Sequence, residues 1–231
     1  MIDFHTHILP GIDDGSASVE ESLQMLRALA AQGVDTVVAT PHFSALESTP
    51  ETFVETRNGA FSQIPQEDGL PKILLGAEVA YFDSMSYCDD LSALKIGDSN
   101  LLLVEMPFGC WTDRMIEDVC AIFRQQGLMP VLAHVERYDR KDQFPRYKGF
   151  LEDQVLFQCN AQFFLNGFAS RKALRQLAEG GIHFLGSDCH NMARRAPNMG
   201  DALTVIRKKL GEDAVTYLND TTNAFLFGEG V

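Results

Sequence analysis

A chain of 231 residues with 45% hydrophobic and 22% charged residues has the composition of a globular core under a solvated surface. α/β barrels of this length fold undivided, so residues 1–231 are read as a single domain. The formal net charge of −13 argues against a nucleic-acid-binding surface, and no apolar run reaches the ~20 residues that span a bilayer.

Short β-rich runs alternate with helix-like segments along the chain. The first run, Ile2–Phe4, leads into His5-Thr6-His7. In an extended strand, residues i and i+2 share a face, so both imidazoles can bind one cation. Asp3, Asp13 and Asp14 crowd the same segment. A helix follows, with Ser16 or Ser18 as its N-cap, glutamates in its first turn and Gly33 after its end. Leu23, Leu26, Leu29 and Ala30 form its apolar face.

The next strands are Thr36–Ala39, before Thr40-Pro41-His42, then Lys72–Ala77, before Glu78, and Leu101–Glu105. After them come Met129–Ala133, before His134, then Val155–Gln158, and His183–Leu185, before Asp188-Cys189-His190. Cys120–Gly127 and Lys172–Gly180 are helical segments that each end at a glycine ahead of a strand. Pro65–Pro71 and Arg140–Lys148 read as loops, and the tail after Tyr217 carries no clear pattern.

Strands separated by single helices imply a parallel sheet with right-handed crossovers. About seven such units point to an α/β fold with a closed or nearly closed, TIM-like barrel. Reactive residues of parallel barrels sit at the carboxyl ends of strands, where His42, Glu78, Glu105, His134 and Asp188 all fall.

An isolated H-x-H is more often a pair of ordinary histidines. Here the strand-end clusters recur, and a polynuclear site is the better reading. Its nitrogen and oxygen donors suit zinc, manganese or iron, with no thiolate in register. A carboxylate such as Glu78 or Glu105 can bridge two cations, building a two-metal clamp. Arg137 can form a bidentate fork to phosphate, or else a salt bridge with Asp139 or Glu136. Alternation places His134 and Glu136 on one face.

Cys189 to Arg195 has the C-x5-R spacing of thiol-based tyrosine phosphatases. The intervening residues contain no glycine to build a phosphate-cradling loop, so a cysteine mechanism is disfavoured. His183 is read as structural. Five scattered cysteines without a C-x-x-C pair fit reduced thiols in a cytoplasmic protein. A cleaved leader would remove His5 and His7, so no signal peptide is expected.

These residues resemble the PHP (polymerase and histidinol phosphatase) superfamily. More narrowly, five strings are similar to the bacterial metal-dependent protein tyrosine phosphatases of capsule and exopolysaccharide operons, the CpsB/YwqE type. They are His5-Thr-His-Ile-Leu-Pro-Gly-Ile-Asp-Asp-Gly15, Ala39-Thr-Pro-His42, Gly76-Ala-Glu78, Pro130-Val-Leu-Ala-His-Val-Glu-Arg-Tyr138 and Ser187-Asp-Cys-His-Asn191. The likeness runs from Met1 to about Ala202, and its P-G-I-D-D-G and A-H-V-E-R-Y strings are specific.

The resemblance implies a distorted seven-stranded (β/α) barrel of the PHP type holding three divalent metals, manganese first, with iron or zinc as alternatives. It assigns His5, His7, Glu78 and Asp188 to the first metal, Glu78, Glu105 and His134 to the second, and Asp14, His42 and His190 to the third. Arg137 and Arg195 match its phosphate-contacting arginines. The implied substrate is the phosphotyrosine tail of a partner tyrosine autokinase controlling polysaccharide export. A small-molecule phosphatase such as histidinol-phosphate phosphatase, or a non-catalytic kinase-docking subunit, are the alternatives, and an oligomer is left open. Two positions depart from the pattern. Phe43 follows His42 and is expected to reshape the substrate mouth, and Cys189 replaces a common alanine.

Overall fold

Parallel strands alternating with helices are what the chain forms. The computed structural model describes residues 1–138, 143–152 and 154–228. Its first sheet has the order β1 (Ile2–Thr6), β2 (Thr36–Ala39), β4 (Lys72–Leu75). The second runs β3 (His42–Phe43), β5 (Glu78–Ala80), β6 (Leu101–Glu105), β7 (Met129–Leu132), β8 (Leu156–Asn160), β9 (Phe184–Gly186). Every pairing is parallel. The sheet curls until β9 meets β1: Asp188 N donates to His5 O at 2.8 Å, His7 N donates to Cys189 O at 2.9 Å, and Thr6 bridges Cys189.

Helices pack outside the curl. They are α1 (Val19–Ala31), α2 (Pro50–Ser62), α3 (Asp113–Gln126), α4 (Gln143–Leu151), α5 (Ala161–Leu165), α6 (Gly167–Ala178), α7 (Met199–Leu210) and α8 (Glu212–Phe227). Ser18 caps α1 by accepting from Glu21 N, and Gly127 ends α3 in the left-handed conformation. Two outer cores lie between strands and helices. Val37 and Ala39 meet Leu26 and Leu29 of α1 in one, and Leu102 and Val104 meet Ile116 and Val119 of α3 in the other. The buried stripe of α1 runs through Ser22, Met25, Leu26 and Leu29, while Leu23 and Ala30 are only partly covered.

A third cluster gathers Ile2, Phe4, Val38, Leu101, Leu103, Val131 and Phe184 from five strands, with Ala133 just past the end of β7. These residues can meet only inside the curl. Phe4 and Phe184 stack there at 4.1 Å, and Leu226 of α8 closes that end. The inner core fills the amino-terminal end of the curl and leaves the strand carboxyl ends for polar groups.

Three sequence expectations change. Lys72–Ala77 is a strand only to Leu75. Gly76 follows, where a Cβ would lie 2.9 Å from Ile96 Cγ1, so the close approach of the chain there favours glycine. Gln143–Lys148, read as loop, lies in α4, while positions 140–142 fall outside the described residues. The tail after Tyr217 continues α8 to Phe227. Among the described residues no helix is long and apolar enough to cross a membrane.

His183 is occupied by the backbone: its Nδ1 accepts the Phe157 N–H at 3.0 Å, and burial lowers its pKa below the ordinary 6.5. The unfolded chain therefore takes up a proton near pH 6.5 that the folded chain refuses until lower pH. Its contribution to stability is intact above 6.5 and is lost as pH falls through 6.5 towards the folded value. Urea unfolding at pH 7.5 and pH 5 should show a larger loss in the wild type than in His183→Asn, whose amide oxygen keeps the acceptor without titrating.

Candidate metal centre

Strand alternation delivers some of the polar residues to the open end, and backbone irregularity delivers the rest. Along β6, Leu101 and Leu103 point inward, so Glu105 does too. β1 needs a correction of phase, because Phe4 belongs to the inner core although His5 must also reach the site. The pairing of β1 with β2 shifts between Asp3 and Thr6, and a bulge of this kind re-aims side chains. His134 shares its parity with Leu132, which faces the outer core. A left-handed backbone, φ 32° and ψ 55°, turns it back. Asp188 is likewise left-handed, φ 53°. Non-glycine residues pay strain in this region, and such strain concentrates at functional sites.

The nine expected ligand residues converge. Glu78, 1% exposed, lies at the centre. Its Oε2 is 3.3 Å from both His5 Nε2 and His7 Nε2 and 3.0 Å from His42 Nδ1, and its Oε1 is 2.8 Å from His134 Nε2. Glu105 Oε1 is 3.2 Å from His134 Nε2. Asp188 Oδ1 is 3.7 Å from His5 Nε2 and 3.5 Å from His7 Nε2. Asp14 Oδ1 is 3.3 Å from both His42 Nε2 and His190 Nε2. Three groups bring their donor atoms within 4.8 Å of one another: His7, Asp14, His42 and His190; His5, His7 and Asp188; His42, Glu78 and Glu105.

This donor set fits divalent cations. His5 Nε2 and His7 Nε2 lie 3.1 Å apart beside buried carboxylates, which favour positive charge there. His190 Nε2 is buried without a hydrogen bond, although Asp14 stands close to it. Protons supply part of that charge. Burial disfavours a charged His7, yet hydrogen bonds to Asp13 and Glu78 outweigh it and push its pKa up to about 10. Burial likewise opposes charge on His134, but Glu105 and Glu78 raise it to about 9. Burial lowers His190 to about 4, helped by the charges of His7 and Arg195. Burial of Glu78 is overcome by His5, His134 and His42, which hold its carboxyl well below the usual range. Cations binding such ligands displace these protons.

Supporting residues orient the rings. His7 Nδ1 pairs with Asp13 Oδ2 at 2.8 Å, His5 Nδ1 with Gln158 Oε1 at 3.3 Å, and His190 Nδ1 with the Asp188 carbonyl at 3.0 Å. Donation from Nδ1 leaves Nε2 as the ligand atom. Gln158 Oε1 also accepts the His134 N–H at 2.6 Å, and Asn160 Nδ2 donates to Asp188 Oδ2 at 2.8 Å. Sequence reasoning passed over Gln158 and Asn160. The available signal was their i, i+2 spacing within an otherwise apolar strand. Gly186 is required beside them, because a Cβ there would sit 2.6 Å from His5 Cβ.

Arg137 and Arg195 both pair with Asp188. Arg137 Nη2 meets Oδ2, and Arg195 Nη2 meets Oδ1 at 2.6 Å. Their side chains are 35% and 36% exposed, so each also faces the mouth. Val135–Arg137 is a 3₁₀ turn and not a strand, which cancels the expected shared face of His134 and Glu136; Glu136 instead accepts from Asn160 N. Asp139 lies outside the described residues. Phe43 does not shape the mouth: it is 2% exposed and packs on Phe53 at 5.3 Å. Cys189 is fully buried in the outer core.

Comparison with known proteins agrees with this geometry. Residues 1–225 match the model of a family described as capsular polysaccharide synthesis, CpsB/CapC. The chain belongs to the CpsB/CapC family. Tyrosine-protein phosphatase CpsB of Streptococcus pneumoniae is 32% identical over 225 residues, covering 91% of each chain. Tyrosine-protein phosphatase YwqE of Bacillus subtilis (strain 168) is 28% identical, covering 98% of this chain and 91% of its own. Crystal structures of YwqE from Bacillus subtilis and CpsB from Streptococcus pneumoniae describe them as unique metal-dependent tyrosine phosphatases. A chain of that work is similar to this one with a TM-score of 0.85 at 26% identity, covering 100% of this chain and 96% of that one. Within the CpsB/CapC family the fold is thus a mixed α/β one with a curled parallel sheet.

Proposed function

We propose that this member of the CpsB/CapC family is a metal-dependent phosphomonoester hydrolase that removes phosphate from protein phosphotyrosine. The observation that carries the reading is Glu78, buried among four imidazoles and backed by two arginines on Asp188. The names of the relatives support the substrate class. Its partner is the phosphotyrosine tail of a bacterial tyrosine autokinase in the cytoplasm. We read β2 with β3 and β4 with β5 as single interrupted strands of a seven-stranded barrel, and residues 1–231 as one domain.

His5, His7, Glu78 and Asp188 are assigned to one ion, Glu78, Glu105 and His134 to a second, and Asp14, His42 and His190 to a third, with manganese the first choice. Divalent ions supply Lewis acidity at such a site, activating water near neutral pH and neutralising phosphoryl charge. The protein's own residues do the remaining work. Arg137 and Arg195 each use one terminal nitrogen on Asp188, Arg195 Nη1 also stands 4.0 Å from Asp14 Oδ2, and their remaining N–H groups are assigned to phosphoryl oxygens. Asp13 and Gln158 hold the rings of His7 and His5 in the ligating orientation. A phenolic oxygen leaves more readily than an alkoxide, so no strong general acid is required.

Cys189 separates this chemistry from thiol catalysis. A phosphatase nucleophile must reach phosphorus, and the Cys189 thiol is enclosed by core residues. Cys189→Ala should keep turnover within about threefold while costing about 1 kcal/mol of stability, the scale of one lost buried heavy atom. EDTA should inactivate both forms, and Mn²⁺ should restore both. A fully metallated, folded Cys189→Ala protein without turnover would overturn the metal mechanism.

A further inference from the structure

The loop after β6 presents an aromatic ring that the metal chemistry does not use. Phe108 is 52% exposed. Single exposed apolar side chains are common, but the backbone leading into this one is anchored twice. Tyr138 Oη accepts the Met106 N–H at 2.9 Å, and Trp111 Nε1 donates to the Pro107 carbonyl at 2.9 Å. Tyr138 is itself wedged against Trp111 at 4.9 Å. The Phe108 ring lies 6.0 Å from the His134 ring with their planes 17° apart, and 5.9 Å from Tyr138. An anchored ring is therefore stacked on a candidate metal ligand at the rim of the cluster.

Phe108, Tyr138 and Phe163 line a cavity of about 650 Å³. Arg137 lines it too and is the only cationic side chain among its described lining residues. Because the same guanidinium pairs with Asp188, it joins the cavity to the metal cluster. A second apolar cavity, of about 540 Å³, is lined by Pro107 together with Leu46, Tyr81, Phe82 and Met115. Its described lining residues include no cationic side chain, so it offers a phosphate no charged partner.

We propose that the first cavity receives the phenol ring of phosphotyrosine and that Phe108 is a specificity-determining wall of it. This inference rests on the phosphatase reading above. Arg137 both lines this cavity and pairs with Asp188, so a phosphate ester held by Arg137 can extend a tyrosine ring into the cavity. Aromatic walls suit such a ring, because offset or edge contacts add to the burial of its apolar area. The cavity is also large enough to take residues flanking the tyrosine. A serine phosphate brings no ring and leaves the walls uncovered.

The test compares one peptide carrying either phosphotyrosine or phosphoserine, with wild-type protein, Phe108→Ala and Phe108→Tyr, all loaded with Mn²⁺. The wild type should prefer phosphotyrosine. Phe108→Ala should raise KM for the phosphotyrosine peptide about tenfold, the order expected for losing one ring contact and its burial. kcat and metal content should stay near wild type, and Phe108→Tyr should restore KM. An unchanged KM in Phe108→Ala, or an equal fall of kcat on both peptides, would overturn the aryl pocket. A wild type that hydrolyses both without preference would also overturn it and leave the phosphatase reading standing. A wild type that hydrolyses neither would overturn the phosphatase reading itself.

Discussion

Glu78→Ala will abolish metal retention and turnover together, with activity falling roughly a thousandfold or more, as expected when metals and the charge stabilisation they supply are lost. Both carboxylate oxygens of Glu78 are engaged, Oε2 with His5, His7 and His42 and Oε1 with His134. The residue is 1% exposed, so no water replaces the missing charge without rearrangement. Removing it leaves imidazoles facing imidazoles, with His5 and His7 nitrogens already 3.1 Å apart. Glu78→Gln keeps the shape and removes the charge, and it should lose metal as well. Elemental analysis after dialysis, read beside kcat, checks the result. Full metal content with wild-type turnover in either variant would contradict the central place given to Glu78.

The arginine variants should behave differently. Charge-assisted hydrogen bonds are worth about 1.5–3 kcal/mol, or roughly 10- to 150-fold in rate. Arg137→Met and Arg195→Met should each lower kcat/KM by that order while metal content holds. It holds because Asp188 keeps the other arginine and the Asn160 amide. The double variant strips both guanidinium groups from Asp188 and should weaken metal retention as well as turnover. A single variant that loses metal in step with activity would give the arginine a structural role in place of a phosphate-binding one.

What the sequence revealed follows the regularity of the backbone. His5-x-His7 was legible from its spacing at a strand end, although the pairing shift in β1 re-aims His5, and Glu105 because it continues the inward series of Leu101 and Leu103. The positions of His134 and Asp188 needed left-handed residues that no periodicity announces, and only their neighbours in the motif marked them. Orienting groups were less visible still. Asp13 was noticed only as part of a crowd of acids, and Gln158 acts across 153 residues of sequence on His5. Helix α4 was hidden by Pro145, which a first helical turn tolerates because the N–H groups there have no partner within the helix. The split of β4 from β5 falls at Gly76 and Ala77, and the close approach of Gly76 to Ile96 is a tertiary fact that no spacing announces.

Metal analysis combined with substrate choice tests most directly whether a metal cluster in this protein hydrolyses phosphotyrosine. Purified protein should carry or take up two or three equivalents of divalent metal. With Mn²⁺ it should release phosphate faster from a phosphotyrosine peptide than from histidinol phosphate, and it should lose that activity on chelation. A metal-loaded protein that prefers histidinol phosphate would move the substrate to small molecules. Phosphotyrosine hydrolysis that persists at full rate after every metal is removed would contradict the account.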